Sequence, residues 1–338
     1  MTDLKALSLK ELSQLTEELH WEKYRAQQIF TWIWQKGITD INQMSNLAKT
    51  KRQLLLEKSY ISQLKLIRAK KSQDHSVKFL FELQDQNRIE SVHIPEVNRQ
   101  TVCVSTQVGC ALGCRFCYTG QLGFIRNLKK HEIADQILQV QLLTKQRISN
   151  VVFMGMGEPF LNYDECLKAI ELINSDFGLN IGARKITIST AGIVERIYDF
   201  ADFPLQVKLA ISLNAANDQL RNKLMPINKK YPLSELMKAI RYYVKKKNKR
   251  VTFEYVLIKD TNDKEKDIQA LIKLLSAIPC KINLIPFNPY PNCPYQSPTI
   301  EEVEAFAEKL YPYLPTVIIR KSRGQDIQAA CGQLAGQE

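Results

Sequence analysis

Three cysteines within eight residues are the strongest chemical signal in the sequence: Cys110, Cys114 and Cys117 form a C-x3-C-x2-C array. Thiolates at this spacing can coordinate three corners of one compact metal site. A structural zinc site is normally closed by a fourth cysteine or histidine, and His93 and His131 stand well outside this loop. Three ligands and an open position favour a [4Fe–4S] cluster with one free iron. An incomplete zinc site and three incidental core cysteines are the less favoured alternatives.

Other polar and glycine-rich segments fall where an α/β fold carries its chemistry. From residue 101 onward, apolar runs alternate with amphipathic helical patterns, and the predicted strands are 102–105, 151–154, 186–189, 209–213, 251–257, 282–285 and 317–319. Repeated strand–helix units predict an α/β fold with a parallel sheet, open or closed as a barrel. Chemistry in such folds collects where the strands end. The cysteine array follows the first strand, and polar segments follow later ones at 155–159, 189–192, 214–215 and 286–289.

The first 95 residues show a different pattern. A capping box at Ser8 and Glu11 precedes leucines at helical spacing, and a second helix is predicted over 23–37. Apolar residues then alternate with polar ones in short runs, which predicts a small antiparallel sheet. We therefore predict three parts, an α+β accessory domain, a βα core and a C-terminal tail, with the bounds 1–95, 96–325 and 326–338.

The positive charge is concentrated in one stretch. The chain has 47 Lys and Arg against 35 Asp and Glu, and residues 221–250 hold eleven of these cations with one acid, Glu235. A partner that carries phosphates and a merely solvated helix face explain this stretch equally well. Further candidates for stacking on bases or for contact with a nucleic-acid backbone are Tyr231, Tyr242, Tyr243, Arg320, Lys321 and Arg323.

Composition excludes several classes of protein. The 45% hydrophobic and 24% charged content is that of an ordinary globular protein. No apolar run approaches the roughly 18–20 residues of a membrane helix, and the first residues carry an early acid and no apolar segment. We expect a cytoplasmic protein without a secretory signal. In that reducing compartment, eight cysteines favour metal or redox chemistry over a disulfide framework.

Four further runs resemble a known family. They are CVSTQVGC at 103–110, MGMGEP at 154–159, LMPIN at 224–228 and AACGQL at 329–334. The cysteine array after the first strand of a βα barrel, with Phe116 before its third cysteine, resembles the radical S-adenosylmethionine (SAM) enzymes. Over nearly the whole chain, the motifs together are similar to the bacterial dual-specificity RNA adenine-C2 methyltransferases. This resemblance implies a partial, TIM-like βα barrel of the radical SAM type.

The resemblance also implies a reaction. The C2 atom of adenine is neither acidic nor nucleophilic, so its methylation requires radical chemistry from a cofactor. Cys331 in the tail would accept a methyl group and join it to the base as a protein–RNA adduct. Cys103 would release the product by forming a disulfide with Cys331, and Glu90 would remove the C2 proton. By local pattern alone, the two cysteines are typical of structural or incidental residues, and Glu90 of an exposed strand carboxylate.

The cofactors implied are a [4Fe–4S] cluster on the three cysteines of the array, and SAM. The residues expected to contact SAM are Gly157, Glu158, Ser189, Ser212, Leu213, Asn214 and Asn288. Asn214 departs from the family, which usually has histidine there. Both side chains form hydrogen bonds, so we expect SAM binding to survive this exchange.

The implied substrates are adenosine 2503 of 23S rRNA and adenosine 37 of tRNA, both methylated at C2. The family further implies a flavodoxin-type reductant, and we expect a monomer in which residues 1–95 help to contact the RNA. A related group methylates C8 of the same rRNA adenosine and confers antibiotic resistance, and Pro159 favours the C2 group. A non-catalytic RNA-binding protein with a structural metal is the alternative from another class.

Overall fold

The computed structural model describes residues 1–336, so the last two positions of the predicted 326–338 tail lie outside the described residues. The strands are β1 (Thr2–Asp3), β2 (Ser59–Tyr60), β3 (Lys65–Lys71), β4 (Val77–Glu82), β5 (Arg88–Glu96), β6 (Arg99–Cys103), β7 (Gln107–Gly109), β8 (Phe124–Asn127), β9 (Asn150–Phe153), β10 (Ile186–Thr190), β11 (Lys208–Ser212), β12 (Val251–Leu257), β13 (Cys280–Pro286) and β14 (Val317–Ile319).

The helices begin and end close to the predicted patterns. They are α1 (Leu9–Glu18), α2 (Tyr24–Trp34), α3 (Lys49–Lys58), α4 (Tyr118–Gln121), α5 (Lys130–Thr144), α6 (Tyr163–Asn174), α7 (Val194–Asp202), α8 (Asp218–Leu224), α9 (Leu233–Lys247), α10 (Glu265–Leu275) and α11 (Ile300–Leu310). The predicted capping box starts α1: Ser8 Oγ accepts from the Glu11 backbone N–H, and the Ser8 N–H donates to Glu11 Oε2 at 2.6 Å. No helix in residues 1–336 is long and apolar enough to cross a membrane.

One ten-stranded sheet forms the centre of the molecule, in the order β14-β13-β12-β11-β10-β9-β6-β5-β4-β3. The seven strands from β14 to β6 are parallel, and long helices connect successive parallel strands from β6 to β14. This confirms the predicted α/β fold. Strand β6 pairs with β5 on its other side, so it is not available to close the sheet on β14. The parallel strands therefore form an open, partial barrel.

The accessory strands belong to the same sheet as the barrel. Strands β3 to β5 are antiparallel, and β5 pairs directly with β6, where Val92 lies opposite Cys103. A single hydrophobic core includes Leu4 and Trp34 near the start of the chain as well as Phe153 in the barrel. The sheet is thus continuous across residue 95, and the division at 95/96 stays a prediction.

A buried ion pair ties the start of the chain to helix α5. Lys5 Nζ lies 2.6 Å from Asp135 Oδ1, and both side chains are at most 3% exposed. The other carboxylate oxygen of Asp135 accepts from the Leu64 backbone N–H at 2.9 Å. Because these contacts satisfy both charges, the pair is stable where it is, but removal of either partner leaves a bare charge in the core.

We predict that Lys5→Ala lowers the free energy of unfolding by about 3–5 kcal/mol, since it leaves Asp135 buried without its cation. Lys309→Ala, which breaks the exposed pair with Glu265, is the matched control and should cost less than about 1 kcal/mol. Chemical denaturation of the two variants measures both values. Equal losses would show that the Lys5 pair does not join the two parts of the fold.

Candidate active site

The cysteine loop lies between β7 and α4, at the carboxyl end of the barrel. Burial, with smaller contributions from the neighbouring Cys117 and Glu158, raises the pKa of Cys110 to about 12. Burial likewise raises the pKa of Cys114, with added contributions from Cys117 and Cys110. The three thiols are therefore close enough to disfavour one another's ionisation. A bound metal reverses this preference, because a coordinated thiol is deprotonated.

The spacing of these thiols suits a cluster better than a single ion. In the part of the chain that the structure describes, no three Cys, His, Asp or Glu side chains come close enough to hold one metal ion. The three thiols nevertheless line one cavity of about 160 Å³, here called the carboxyl-end cavity. Each thiolate of an iron–sulfur cluster binds a different iron, so its ligands stand further apart than those of zinc. The donor set thus fits a [4Fe–4S] cluster.

Most residues predicted to contact SAM line the same carboxyl-end cavity. These are Gly157, Glu158, Ser189, Ser212 and Asn214. Two predicted residues lie elsewhere. Leu213 is buried; its N–H donates to the Glu254 carbonyl of β12, and its carbonyl accepts from Arg221 Nε. Asn288 bonds to the tail, donating from Nδ2 to the Cys331 carbonyl at 3.1 Å.

Glu158 is a buried carboxylate that fixes the loops after two strands. Its Oε2 accepts from the Ala191 N–H at 2.8 Å, and its Oε1 accepts from the Phe160 N–H at 3.0 Å. Burial raises the pKa of Glu158 to about 6, although these hydrogen bonds oppose the rise. Gly157 beside it has φ +100°, and a Cβ there would lie 2.5 Å from the Gln107 Cβ. Only glycine therefore allows the backbone to turn at this point.

The exchange of histidine for Asn214 has a backbone explanation. Asn214 has φ +57°, a left-handed conformation in which Asn, Asp and His are enriched. Its Oδ1 accepts from the Val256 N–H at 2.9 Å, and its Nδ2 contacts the sulfur of Met225. Asparagine thus suits this left-handed backbone, and its side chain joins β11 to β12.

Cys103 and Cys331 are 228 positions apart in sequence, and the fold brings them together. Both line a second cavity of about 500 Å³, which extends from Lys208 at the amino ends of the strands to Cys117 and Gly155 beyond their carboxyl ends and is here called the amino-end cavity. Burial and the neighbouring Cys331 raise the pKa of Cys103 to about 12, although the guanidinium of Arg320 opposes the rise. Both cysteines are free thiols. Cys331 also lines the carboxyl-end cavity, so it stands in the wall between the two.

The tail that carries Cys331 is docked on the cysteine loop by backbone hydrogen bonds. The Tyr118 N–H donates to the Gly332 carbonyl at 2.7 Å, and Thr119 Oγ1 donates to the Leu334 carbonyl at 2.6 Å. These contacts hold Cys331 next to Cys117, the third cysteine of the array. The tail is therefore part of the site and not an appendage.

Glu90 is buried, contrary to the alternative of an exposed strand carboxylate. Its Oε1 lies 2.9 Å from Lys78 Nζ, and its Oε2 accepts from the Ala335 N–H of the tail at 2.7 Å. Among the described residues, the walls of the two cavities do not include Glu90. It therefore reaches the site through the tail that it holds.

Arg221 has a role that the charge pattern did not reveal. It was counted in the basic stretch 221–250, but it is fully buried and donates to the carbonyls of Leu213, Ala191 and Ser212 at 2.7 to 3.2 Å. Burial lowers its pKa to about 10, so it remains charged at neutral pH. Its position after an Asx-capped turn, at Asn217, is the only local sign of this role in the sequence.

An open parallel barrel with a three-cysteine loop after its first strand defines a radical SAM protein. The family model for the radical SAM superfamily matches residues 104–274, and the model for the N-terminal domain of ribosomal RNA large subunit methyltransferases matches residues 2–61.

Similar proteins extend over nearly the whole chain. The probable dual-specificity RNA methyltransferase RlmN of Caldanaerobacter subterraneus subsp. tengcongensis is 47% identical and covers 99% of this chain and 98% of its own length. The dual-specificity RNA methyltransferase RlmN of Syntrophus aciditrophicus is 45% identical, with coverages of 99% and 96%. A crystal structure of a radical SAM methyltransferase from Sphaerobacter thermophilus has a TM-score of 0.95 at 41% identity and full coverage of both chains. The chain belongs to the RlmN family of dual-specificity RNA methyltransferases.

We predict that Arg221→Ala lowers the free energy of unfolding by at least about 3 kcal/mol, because three buried carbonyls lose their donor at about 1–3 kcal/mol each. Arg241→Ala, at an exposed position of α9 in the same basic stretch, should change it by no more than about 0.5 kcal/mol. Chemical denaturation compares the two variants. A loss of RNA affinity in Arg221→Ala with unchanged stability would instead place Arg221 among the phosphate contacts.

Proposed function

We propose that this enzyme methylates C2 of adenosine in RNA through a methyl group carried on Cys331. As a member of its family, it is a SAM-dependent radical RNA methyltransferase with a [4Fe–4S] cluster. When bound, the cluster and SAM supply the methyl donor and the one-electron chemistry that an unactivated aromatic carbon requires. The observation that carries the proposal is the position of Cys331 in the wall between two cavities, since a methyl carrier must reach both the cofactor and the base.

The carboxyl-end cavity is the proposed cofactor site. Its three thiols, on Cys110, Cys114 and Cys117, would hold the cluster, and Glu158 is the acid proposed for the SAM amino group. The remaining proposed SAM contacts are Gly157, Ser189, Ser212, Leu213, Asn214 and Asn288. Asn288 bonds to the Cys331 backbone in this structure, so it connects the proposed cofactor site to the methyl carrier.

Cys103 is the proposed resolving residue. Its thiol lies beside Cys331 but is held neutral by burial, which raises its pKa to about 12. After it loses its proton, its sulfur would attack the sulfur of Cys331. An S–S bond forms, the bond from the sulfur of Cys331 to the methylene carbon breaks, and the electron pair of that bond takes up a proton to complete the methyl group of the released base. Two electrons must then restore the thiols, and we propose a flavodoxin-type reductant as their source.

Glu90 is the proposed base for the C2 proton. Its carboxylate is paired with Lys78 and bonds to the tail at Ala335, so any movement of the tail uncovers one of its oxygens. A buried carboxylate bonded to the tail that carries the methyl carrier fits this role better than an exposed one does.

The substrate is RNA, and we propose adenosine 2503 of 23S rRNA and adenosine 37 of tRNA as its targets. The two relatives are named dual-specificity RNA methyltransferases, which supports the proposal of two RNA substrates. We further propose that residues 1–95 contact the RNA and that the enzyme acts in the cytoplasm as a monomer. Mass spectrometry of the modified nucleoside distinguishes C2 methylation from the C8 alternative.

We predict that Cys110→Ala, Cys114→Ala and Cys117→Ala each abolish the cluster and all RNA methylation. Iron content and visible charge-transfer absorption of anaerobically purified protein measure the cluster. Cys293→Ala, which removes a cysteine outside both cavities, should keep the full iron content. Full iron and normal turnover in any of the three variants would disprove the ligand assignment, and a colourless zinc protein would favour the non-catalytic alternative.

Cys103→Ala and Cys331→Ala should fail at different steps. Cys103→Ala still loads the methyl group and attacks the RNA, but it cannot release the base, so it should accumulate as a covalent protein–RNA adduct. Cys331→Ala lacks the methyl carrier and should form no adduct. The double variant should form no adduct either. Denaturing gel electrophoresis with labelled RNA detects the adduct as a shifted band. An adduct in Cys331→Ala would overturn the assignment of the methyl carrier.

A further inference from the structure

Three lysines surround the end of the barrel at which the strands begin. Lys208 is the first residue of β11, Lys281 is the second of β13, and Lys185 directly precedes β10. Because the strands are parallel, these positions meet at the edge opposite to the cysteine loop. All three lysines line the amino-end cavity, together with Cys103 and Cys331.

These lysines repel one another, and the buried Glu254 only partly offsets the repulsion at Lys281, whose pKa remains lowered. Partial burial, Lys281 and Lys185 all lower the pKa of Lys208. Within residues 1–336, none of the three lysines has a carboxylate at ion-pair distance. Such a cluster destabilises the free protein, which indicates that its anion comes from a ligand.

The lysines of α9 are different. Lys246 pairs with Asp202 at 2.7 Å, Lys238 pairs with Glu235 at 2.7 Å, and Lys247 donates to the Phe203 carbonyl. Their charges are already partly satisfied on the outside of the barrel. Three of the lysines of α9 thus have partners on the outside of the barrel, unlike the three lysines of the amino-end cavity.

One oxygen of a buried carboxylate on the wall of the amino-end cavity lacks a hydrogen-bond donor. Glu254 lines both cavities and is only 6% exposed; its Oε1 accepts from Asn283 Nδ2 at 2.9 Å, whereas its Oε2 accepts no hydrogen bond. The nearest cation, Arg320, has its NH1 at 3.9 Å from that oxygen. A buried oxygen without a donor costs free energy, so the occupant of this cavity is expected to bring an N–H or O–H group. The amino group of adenine and the hydroxyl of ribose both provide one.

We propose that the RNA enters the barrel from its amino end, with the target base in the amino-end cavity and the flanking phosphates on Lys185, Lys208 and Lys281. This inference rests on the proposed function. The cluster and SAM would fill the opposite end, so a base that arrives from the amino end meets Cys331 from the side that the cofactors leave open. A volume of about 500 Å³ is within the range of about 300–1,000 Å³ typical of ligand sites.

The test compares two double variants that lose the same charge. Lys208→Gln/Lys281→Gln removes two cations of the cavity, and Lys266→Gln/Lys273→Gln removes two exposed cations of α10. The binding of a synthetic RNA stem–loop with an unpaired adenosine is measured against salt concentration. We expect the cavity variant to bind about tenfold more weakly at physiological salt, with a log–log salt slope that is shallower by about 1.5, since each lost phosphate contact removes about 0.7–0.9. The α10 variant should match the wild type.

Two further measurements separate this inference from the proposed function. Methyl loading of Cys331, followed by intact-protein mass, requires no RNA and should be unchanged in the cavity variant, and its melting temperature should not fall. If the cavity variant bound RNA as tightly as the wild type, and the wild-type enzyme methylated RNA, the proposed entry route would be overturned and the proposed function would stand. A lower melting temperature would show that the lysines serve the fold and would also overturn it. Absence of RNA methylation by the wild-type holoenzyme would refute the proposed function itself.

Discussion

The parallel hydrogen-bond register from β6 to β14 is the constraint on which the site depends. It places the carboxyl ends of seven strands at one edge, so loops that are far apart in sequence share one cavity. The same register places the amino ends of the strands at the opposite edge. The two ends of the barrel therefore differ in chemistry, with thiols and a buried carboxylate at one and unpaired lysines at the other.

The tail connects the two ends of the barrel, because its Cys331 lines both cavities. It follows β14, crosses to the cysteine loop and is held there by main-chain hydrogen bonds at Gly332 and Leu334. Glu90 and Asn288 hold it from two other elements of the fold. Cys331 gains its position from these contacts and not from its own strand or helix.

Local patterns in the sequence predicted the elements and failed where distant parts of the chain meet. The seven barrel strands, the capping box of α1 and the cysteine loop follow from periodicity and spacing, because each is specified by neighbouring residues. The pairing of β5 with β6 does not follow from local patterns, because it depends on the register between two strands on either side of residue 95. Arg221 shows the same limit: its charge is visible in the sequence, but the carbonyls that it satisfies come from the end of β11 and from the loops after β10 and β11. The proximity of Cys103 to Cys331 came only from the family resemblance.

An open barrel leaves the sheet with two free edges. A free edge presents unpaired backbone groups to which a strand of another molecule can add, and natural sheets protect such edges with charge or by keeping the strand short. Here β3 carries Lys65, Arg68, Lys70 and Lys71 along one edge, almost all of it exposed, and β14 forms the other edge with only three residues. The charged residues of β3 repel a second copy of the same edge, and β14 is too short to pair with much of another strand. Both features thus disfavour intermolecular sheet extension and aggregation.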